Sequence, residues 1–269
     1  MMETDVFVTK DDVVVCCHDK KLGRLTNAPG TTLSDYNFAD LPPLRQKIPY
    51  GGFQKGSYTQ TALDDGQWLT LFDLLAKMPD TVLYSIDLKF TDWRKVEFVY
   101  ADIAANNSEN RVVWGSAFDK VHERCSELAP NIAKYYPARA LLWTYFLQLL
   151  GCLFCFELPG DVLLGPLFTP ELFKRSGFSL LVRCLIFPFV KILQIIGCCL
   201  FPHLQRRGNS IVLWTANEKS EFNKIDAWYG DSIDGLMTDE PSTLAEWVDN
   251  RQTMQDLFFG SAKKTTTCQ

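Results

Sequence analysis

The chain has 269 residues and a mass of 30.7 kDa, with 47% hydrophobic and 22% charged residues. That composition excludes a disordered chain, and the length suits one large α/β barrel. A net charge of −5 and a pI near 5.3, without a basic stripe or zinc-finger spacing, exclude a nucleic-acid partner.

Met1-Met2-Glu3-Thr4-Asp5 has no basic region followed by an apolar stretch, so no signal peptide is read there. Thr4–Thr9 is rich in β-formers, Lys10-Asp11-Asp12 turns, and Val13–Cys17 is an apolar run ending at His18-Asp19. From Lys20 to about Gln67 the chain is polar and rich in Pro, Gly and Asp, hence mostly loop. Trp68–Lys77 has helical apolar spacing with Thr70 as N-cap. Strands are then predicted over 82–90, 111–116, 131–136, 211–216 and 235–238. Helices alternate with them over 92–106, 118–128, 220–229 and 242–249. Such alternation predicts parallel strands joined by crossover helices.

Residues 138–204 interrupt the pattern with two apolar runs, Ala140–Phe156 and Phe178–Leu204. The first has no charge over about seventeen residues, the short limit for a span. In the second, Pro188 and Gly197 are expected to break the helix and Pro202 to close it. One reading is a pair of core helices. The other is a hydrophobic hairpin that lies on or dips into a membrane, suited by Trp143, Tyr145, Arg139, Lys174 and Arg175. Of the nine cysteines, Cys16–Cys17 and Cys198–Cys199 are adjacent pairs and Cys152, Cys155 and Cys184 lie in apolar runs, and Cys152 and Cys155 have no second pair at zinc spacing. They are read as buried or membrane-contacting thiols in a reducing compartment.

Glu3 and Asp5, two apart on a strand, put both carboxylates on one face. Pointing into a barrel they would repel unless a cation lay between them, and hard oxygen ligands suit Mg²⁺ or Ca²⁺. The pair alone fits an exposed terminus equally well. His18 follows a buried strand, which suits a general acid or base and suits a structural rim residue too. Asp87 and Lys89 share a strand face, as a buried ion pair or as a third metal ligand with a phosphate-binding cation. Trp214 is either a core aromatic or a wall of the pocket.

In order, these pieces resemble the glycerophosphodiester phosphodiesterase family. Glu3-Thr4-Asp5, Thr9-Lys10-Asp11 and His18-Asp19 with Leu22-Gly23-Arg24-Leu25-Thr26 match its E-x-D, T-x-D-x-x-x-V and H-D-x-x-L-x-R-x-T signature. Asp87-Leu88-Lys89 matches its later acidic-x-K strand, where Glu is usual. Trp214-Thr215-Ala216-Asn217 and Asp234-Gly235-Leu236-Met237-Thr238-Asp239-Glu240-Pro241 match its last two strands.

The resemblance implies a TIM (β/α)8 barrel over residues 1–250 that carries the apolar insertion. The polar composition of the tail, 251–269, predicts that its end is disordered. The resemblance also implies Glu3, Asp5 and Asp87 as ligands of one divalent cation, His18 as catalytic acid/base, and Lys89 and Trp214 as substrate-binding residues. The insertion resembles the membrane-associated subgroup that acts on lysophospholipids. This implies a lysophospholipid or glycerophosphodiester substrate and membrane lipid as a partner. The place implied is an intracellular membrane such as the endoplasmic reticulum, with cytosolic exposure. The family begins with a strand ending in His-Arg-Gly, which is not found ahead of Glu3. A barrel lacking its first βα unit is therefore expected, without one catalytic histidine and the phosphate-binding arginine. The competing expectation is an inactive, membrane-associated truncated homologue.

Overall fold

Val6 and Val8 alternate with Phe7 on a strand that is buried from Val6 onward, and this run anchors the first sheet. The strand is β1 (Met2–Val8), and it folds back on β2 (Val14–Cys16) as an antiparallel hairpin. The hairpin turn is fixed by side chains. Thr9 donates its hydroxyl to Asp11 Oδ1 at 2.6 Å, and Asp12 adopts a left-handed φ of 66°, which Asp tolerates. The computed structural model describes residues 1–28, 30–49, 57–60, 66–167 and 180–251, without the side chains of 180–187. The predicted disordered tail end, Lys174 and Arg175 fall outside the described residues.

Among the described residues the chain forms two compact units, divided at Leu163 and again at Phe187. In the first, β1 pairs in parallel with β5 (Tyr84–Leu88), β5 with β6 (Val112–Gly115) and β6 with β7 (Ala133–Lys134). The sheet order is β2-β1-β5-β6-β7. A small antiparallel ribbon, β3 (Lys47–Pro49) with β4 (Ser57–Thr59), interrupts the predicted loop.

Crossover helices α1 (Leu71–Lys77), α2 (Val96–Ala105) and α3 (Asp119–Leu128) lie close to the spans read from sequence. Thr70 caps α1, accepting from the Asp73 amide at 3.0 Å, a bond of about 1 kcal/mol. Buried Val96, Val99 and Ile103 of α2 join Ile86, Leu88 and Trp114 in one core. Each such side chain contributes roughly 1.5–3 kcal/mol. Even-numbered residues of β5 and β6 thus face the helices, and odd-numbered residues face the other side. The seven described cysteines are free thiols.

The apolar stretch after Tyr136 differs from the sequence expectation in two ways. Helix α4 (Ala138–Leu149) stops at Leu150, and Gly151 takes the left-handed φ of 68° that ends it. Twelve residues rise about 18 Å, short of the roughly 30 Å of a hydrocarbon core. A strand then follows, β8 (Val162–Pro166), between the two apolar runs, where no strand was read. Its aliphatic run pairs into a second sheet of order β10-β9-β8, with β9 (Ser210–Trp214) and β10 (Gly235–Leu236).

The second departure is α5 (Leu180–Arg206), a helix that continues through Pro188, Gly197 and Pro202. An interior proline costs about 3 kcal/mol. Burial of Val190, Leu193, Leu200, Phe201 and Leu204 along the same helix offsets that cost. Gly197 is a contact point, since a Cβ there would lie 3.2 Å from the Tyr229 ring of α6 (Lys219–Tyr229). A last helix, α7, covers 241–251. Among the described residues Pro188–Arg206 is the one stretch long and apolar enough to cross a membrane, by length and composition alone.

Candidate functional site

The sheet register builds the site in the first unit. Asp5 pairs with Asp87 across β1 and β5, and Asp87 pairs with Gly115 of β6. Glu3 pairs with Ser85 one level below. Because side chains alternate, Glu3, Asp5, Ser85, Asp87 and Lys89 share the face opposite the helices. Asp87 and Lys89 stand at the carboxyl end of β5, where parallel α/β folds place their sites.

The Lys89 ammonium bridges two of the carboxylates, 3.1 Å from Asp5 Oδ1 and in direct contact with Asp87 Oδ2. Asp5 is the more enclosed, its side chain 10% exposed against 21% for Asp87. Burial raises the Asp5 carboxyl above the usual range, although Lys89 pulls the other way. Solvent reaches Glu3, yet its carboxyl is pushed up to about 8. Enclosure by the protein on its inner side is the first cause, and the charges of Asp5 and then Asp87 are the next. Lys89 thus pairs with Asp5 and Asp87, and Glu3 stands beside them with its carboxyl raised.

His18 sits just past β2 with its side chain 65% exposed. Its Nδ1 lies 2.9 Å from Asp19 Oδ1, and Arg24 Nε donates to Asp19 Oδ2 at 2.5 Å. Burial would raise the Asp19 carboxyl, but the hydrogen bonds from Arg24 and His18 outweigh it and hold it below the usual range. Asp19 is therefore an acceptor, so Nδ1 carries the proton of a neutral His18 and Nε2 has the free lone pair. The charge of a protonated His18 also lowers the Asp5 carboxyl, which places the ring within electrostatic reach of the cluster.

Arg24 belongs to the signature, but its role as the clamp on Asp19 depends on the fold. A second residue, Tyr135, gave no sequence signal. Its hydroxyl donates to Asp87 Oδ1 at 2.5 Å across 48 positions of chain. Trp214 ends β9 in the second unit and is 39% exposed. In that unit Asn217 clips two loops together. Its Oδ1 accepts from Thr238 Oγ1 at 3.0 Å and the Asp239 amide at 2.9 Å.

The carboxylates fit a hard divalent cation by chemistry, being oxygen donors with unbalanced charge. Among the described residues, however, no group of three His, Cys, Asp or Glu side chains closes into a ready coordination shell. Lys89 lies between Asp5 and Asp87 instead.

Parallel strands joined by helices, with carboxylates and a lysine gathered on one sheet face, define an α/β protein with a candidate site at its strand ends. Residues 1–139 match the glycerophosphoryl diester phosphodiesterase family, and the chain belongs to that family. Membership makes it a phosphoric diester hydrolase by family. Lysophospholipase D GDPD1 of Homo sapiens is 27% identical over 257 residues, 93% of this chain and 77% of that protein. Lysophospholipase D GDPD3 of Homo sapiens is 25% identical over 256 residues, 93% and 76% of the two chains. The fold is shared with a glycerophosphodiester phosphodiesterase from Parabacteroides distasonis, at TM-score 0.60, 16% identity and coverage of 93% and 84%. It is shared too with a phosphodiesterase from Oleispira antarctica solved with the product sn-glycerol-3-phosphate, at TM-score 0.56, 17% identity and coverage of 92% and 84%.

Proposed function

We propose that the chain hydrolyses lysophospholipids or glycerophosphodiesters in the lysophospholipase D sense. The head-group alcohol is released and lysophosphatidic acid or a glycerophosphate remains. The observation that carries this is the cluster itself: Glu3, Asp5 and Asp87 share one sheet face, and Lys89 pairs with Asp5 and Asp87. With all three carboxyls ionised, two negative charges remain beyond Lys89, which one divalent cation would neutralise. Glu3, Asp5 and Asp87 are the residues that hold Mg²⁺ or Ca²⁺ in this reading. Bound there, the ion supplies Lewis-acid polarisation of a phosphoryl oxygen.

The remaining work falls to the chain's own groups. Lys89, released from sharing the carboxylates, serves as a point charge toward the phosphate. His18 exchanges a proton at Nε2, with Nδ1 fixed by Asp19 and Asp19 fixed by Arg24. Trp214 is kept as a candidate substrate contact. The choice of lipid rests on the relatives named lysophospholipase D and on the exposed face of α4. That helix buries Leu141, Tyr145 and Leu147 and leaves Leu142, Trp143, Phe146, Leu149 and Leu150 in solvent. It begins three residues after Tyr135, so this apolar face hangs from the rim that carries Asp87. Its role in this reading is to seat the chain on an intracellular membrane and to hold the acyl chain.

Choline release from lysophosphatidylcholine by the full chain is expected to stop in chelator and return with Mg²⁺ or Ca²⁺. Release unaffected by chelator would overturn the cation site. Trp143→Ser with Phe146→Ser is expected to lower retention on phosphatidylcholine vesicles about tenfold or more, from the apolar area lost. Unchanged retention would remove α4 from the account.

A second reading, a membrane-associated homologue without activity, draws on one observation. Lys89 already bridges Asp5 and Asp87, and an ion must displace it. Calorimetry separates the two, because a site held shut by Lys89 takes up neither Mg²⁺ nor Ca²⁺.

A further inference from the structure

Asp87 is a short side chain at the end of its strand, and its carboxylate can turn about one bond. Its two oxygens are nevertheless differentiated. Oδ2 contacts the Lys89 ammonium, while Oδ1 accepts from the Tyr135 hydroxyl at 2.5 Å. The tyrosine is 7% exposed, so its ring is held by packing.

How Tyr135 reaches Asp87 follows from the register. Val113 pairs with Ala133, so the next residue pair on that face is Gly115 and Tyr135. Gly115 in turn pairs with Asp87. The row across the sheet therefore runs Asp5, Asp87, Gly115, Tyr135, and Gly115 contributes no side chain to it. A Cβ at residue 115 would lie 3.2 Å from Tyr135 Cε1 and Cζ and 3.2 Å from His122 Nδ1. The tyrosine ring lies over the glycine, and its hydroxyl reaches from just past β7 to Asp87 of β5.

We infer that Tyr135 is a positioning residue for cation binding. It ties down Asp87 Oδ1 and so fixes the orientation of the carboxylate that would hold the ion, and Gly115 is the gap that lets it do so. The inference rests on the reading that Glu3, Asp5 and Asp87 hold a divalent cation. Hydrogen bonds to a metal-binding carboxylate from outside the ligand set fix its orientation, and losing one typically costs about 10–100-fold in affinity.

The test is titration calorimetry of the full chain with Mg²⁺, comparing wild type, Tyr135→Phe, Asp87→Asn and the double variant. Phenylalanine keeps the ring and its packing, and thermal unfolding in chelator checks that the fold is retained. Tyr135→Phe is expected to weaken Mg²⁺ binding about 10–100-fold. In the Asp87→Asn background the same change is expected to have no further effect, because the group it orients has gone. An equal loss in both backgrounds marks a merely structural tyrosine and overturns the inference. Wild-type affinity in Tyr135→Phe overturns the inference while leaving the cation site standing. A wild-type chain that binds neither Mg²⁺ nor Ca²⁺ overturns both. As a check free of substitution, the Tyr135 hydroxyl proton is expected as a slowly exchanging, downfield resonance in wild type. Rapid exchange there contradicts the hydrogen bond.

Discussion

Asp5→Asn is expected to lower the rate of head-group release about a thousandfold or more while leaving the fold intact. Asp5 is the central and most enclosed carboxylate, in register with Asp87 and bonded to Lys89. Removing its charge takes away one of the proposed ligand oxygens' negative charges and several kcal/mol of stabilisation in the transition state, where about 4 kcal/mol corresponds to a thousandfold. Stability is expected to move the opposite way. Burial raises the Asp5 carboxyl, so its ionised form is unfavourable in the folded, cation-free chain.

Glu3 gives the pH window for this effect. Its folded value, about 8, lies above the ordinary 4.5, so the folded state holds the proton more tightly than the unfolded state does. That preference is fully present below about 4.5 and is lost as pH rises toward 8. The unfolding midpoint in chelator is therefore expected to fall across that interval, and Asp5→Asn to flatten the fall. Thermal unfolding with and without Mg²⁺ reads both. A stabilising response to Mg²⁺ that survives in Asp5→Asn would contradict the role given to Asp5.

The second large effect is expected at His18. His18→Ala should lower kcat about a hundred- to ten-thousandfold with little change in KM, because a proton shuttle acts in the transition state more than in substrate binding. The side chain is 65% exposed, so stability should scarcely change. A substrate with a good leaving group, such as a nitrophenyl phosphodiester, needs less proton donation. The loss on that substrate should be distinctly smaller than on lysophosphatidylcholine. Equal losses on both substrates would show that His18 does something other than supply a proton to the leaving oxygen.

The parts of this site that were legible in the sequence are the local ones. Glu3 and Asp5, and then Asp87 and Lys89, fall on common strand faces by the period-two rule, and the register places them side by side. Thr70 reads as a cap because Ser, Thr, Asp or Asn before an apolar periodic run has that one strong use, and it caps α1. Tyr135 was not legible, because its partner depends on strand order and on the missing side chain at Gly115, neither of which leaves a periodic trace. The strand Val162–Pro166 was hidden for a related reason. An aliphatic run flanked by longer apolar runs reads equally as buried helix or buried strand until its partner β9 is known. Proline misled the reading of α5, because packing along Val190, Leu193, Phe201 and Leu204 outweighs the lost backbone bonds.

Phosphorus NMR of lysophosphatidylcholine turned over by the full chain tests the central claim most directly, since it reports which bond is cut. With Mg²⁺ or Ca²⁺ present, the phosphodiester signal should decline as a lysophosphatidic acid phosphomonoester signal grows, and chelator should arrest both. Conversion to glycerophosphocholine or to phosphocholine, or a phosphomonoester that forms equally well in chelator, would contradict the account.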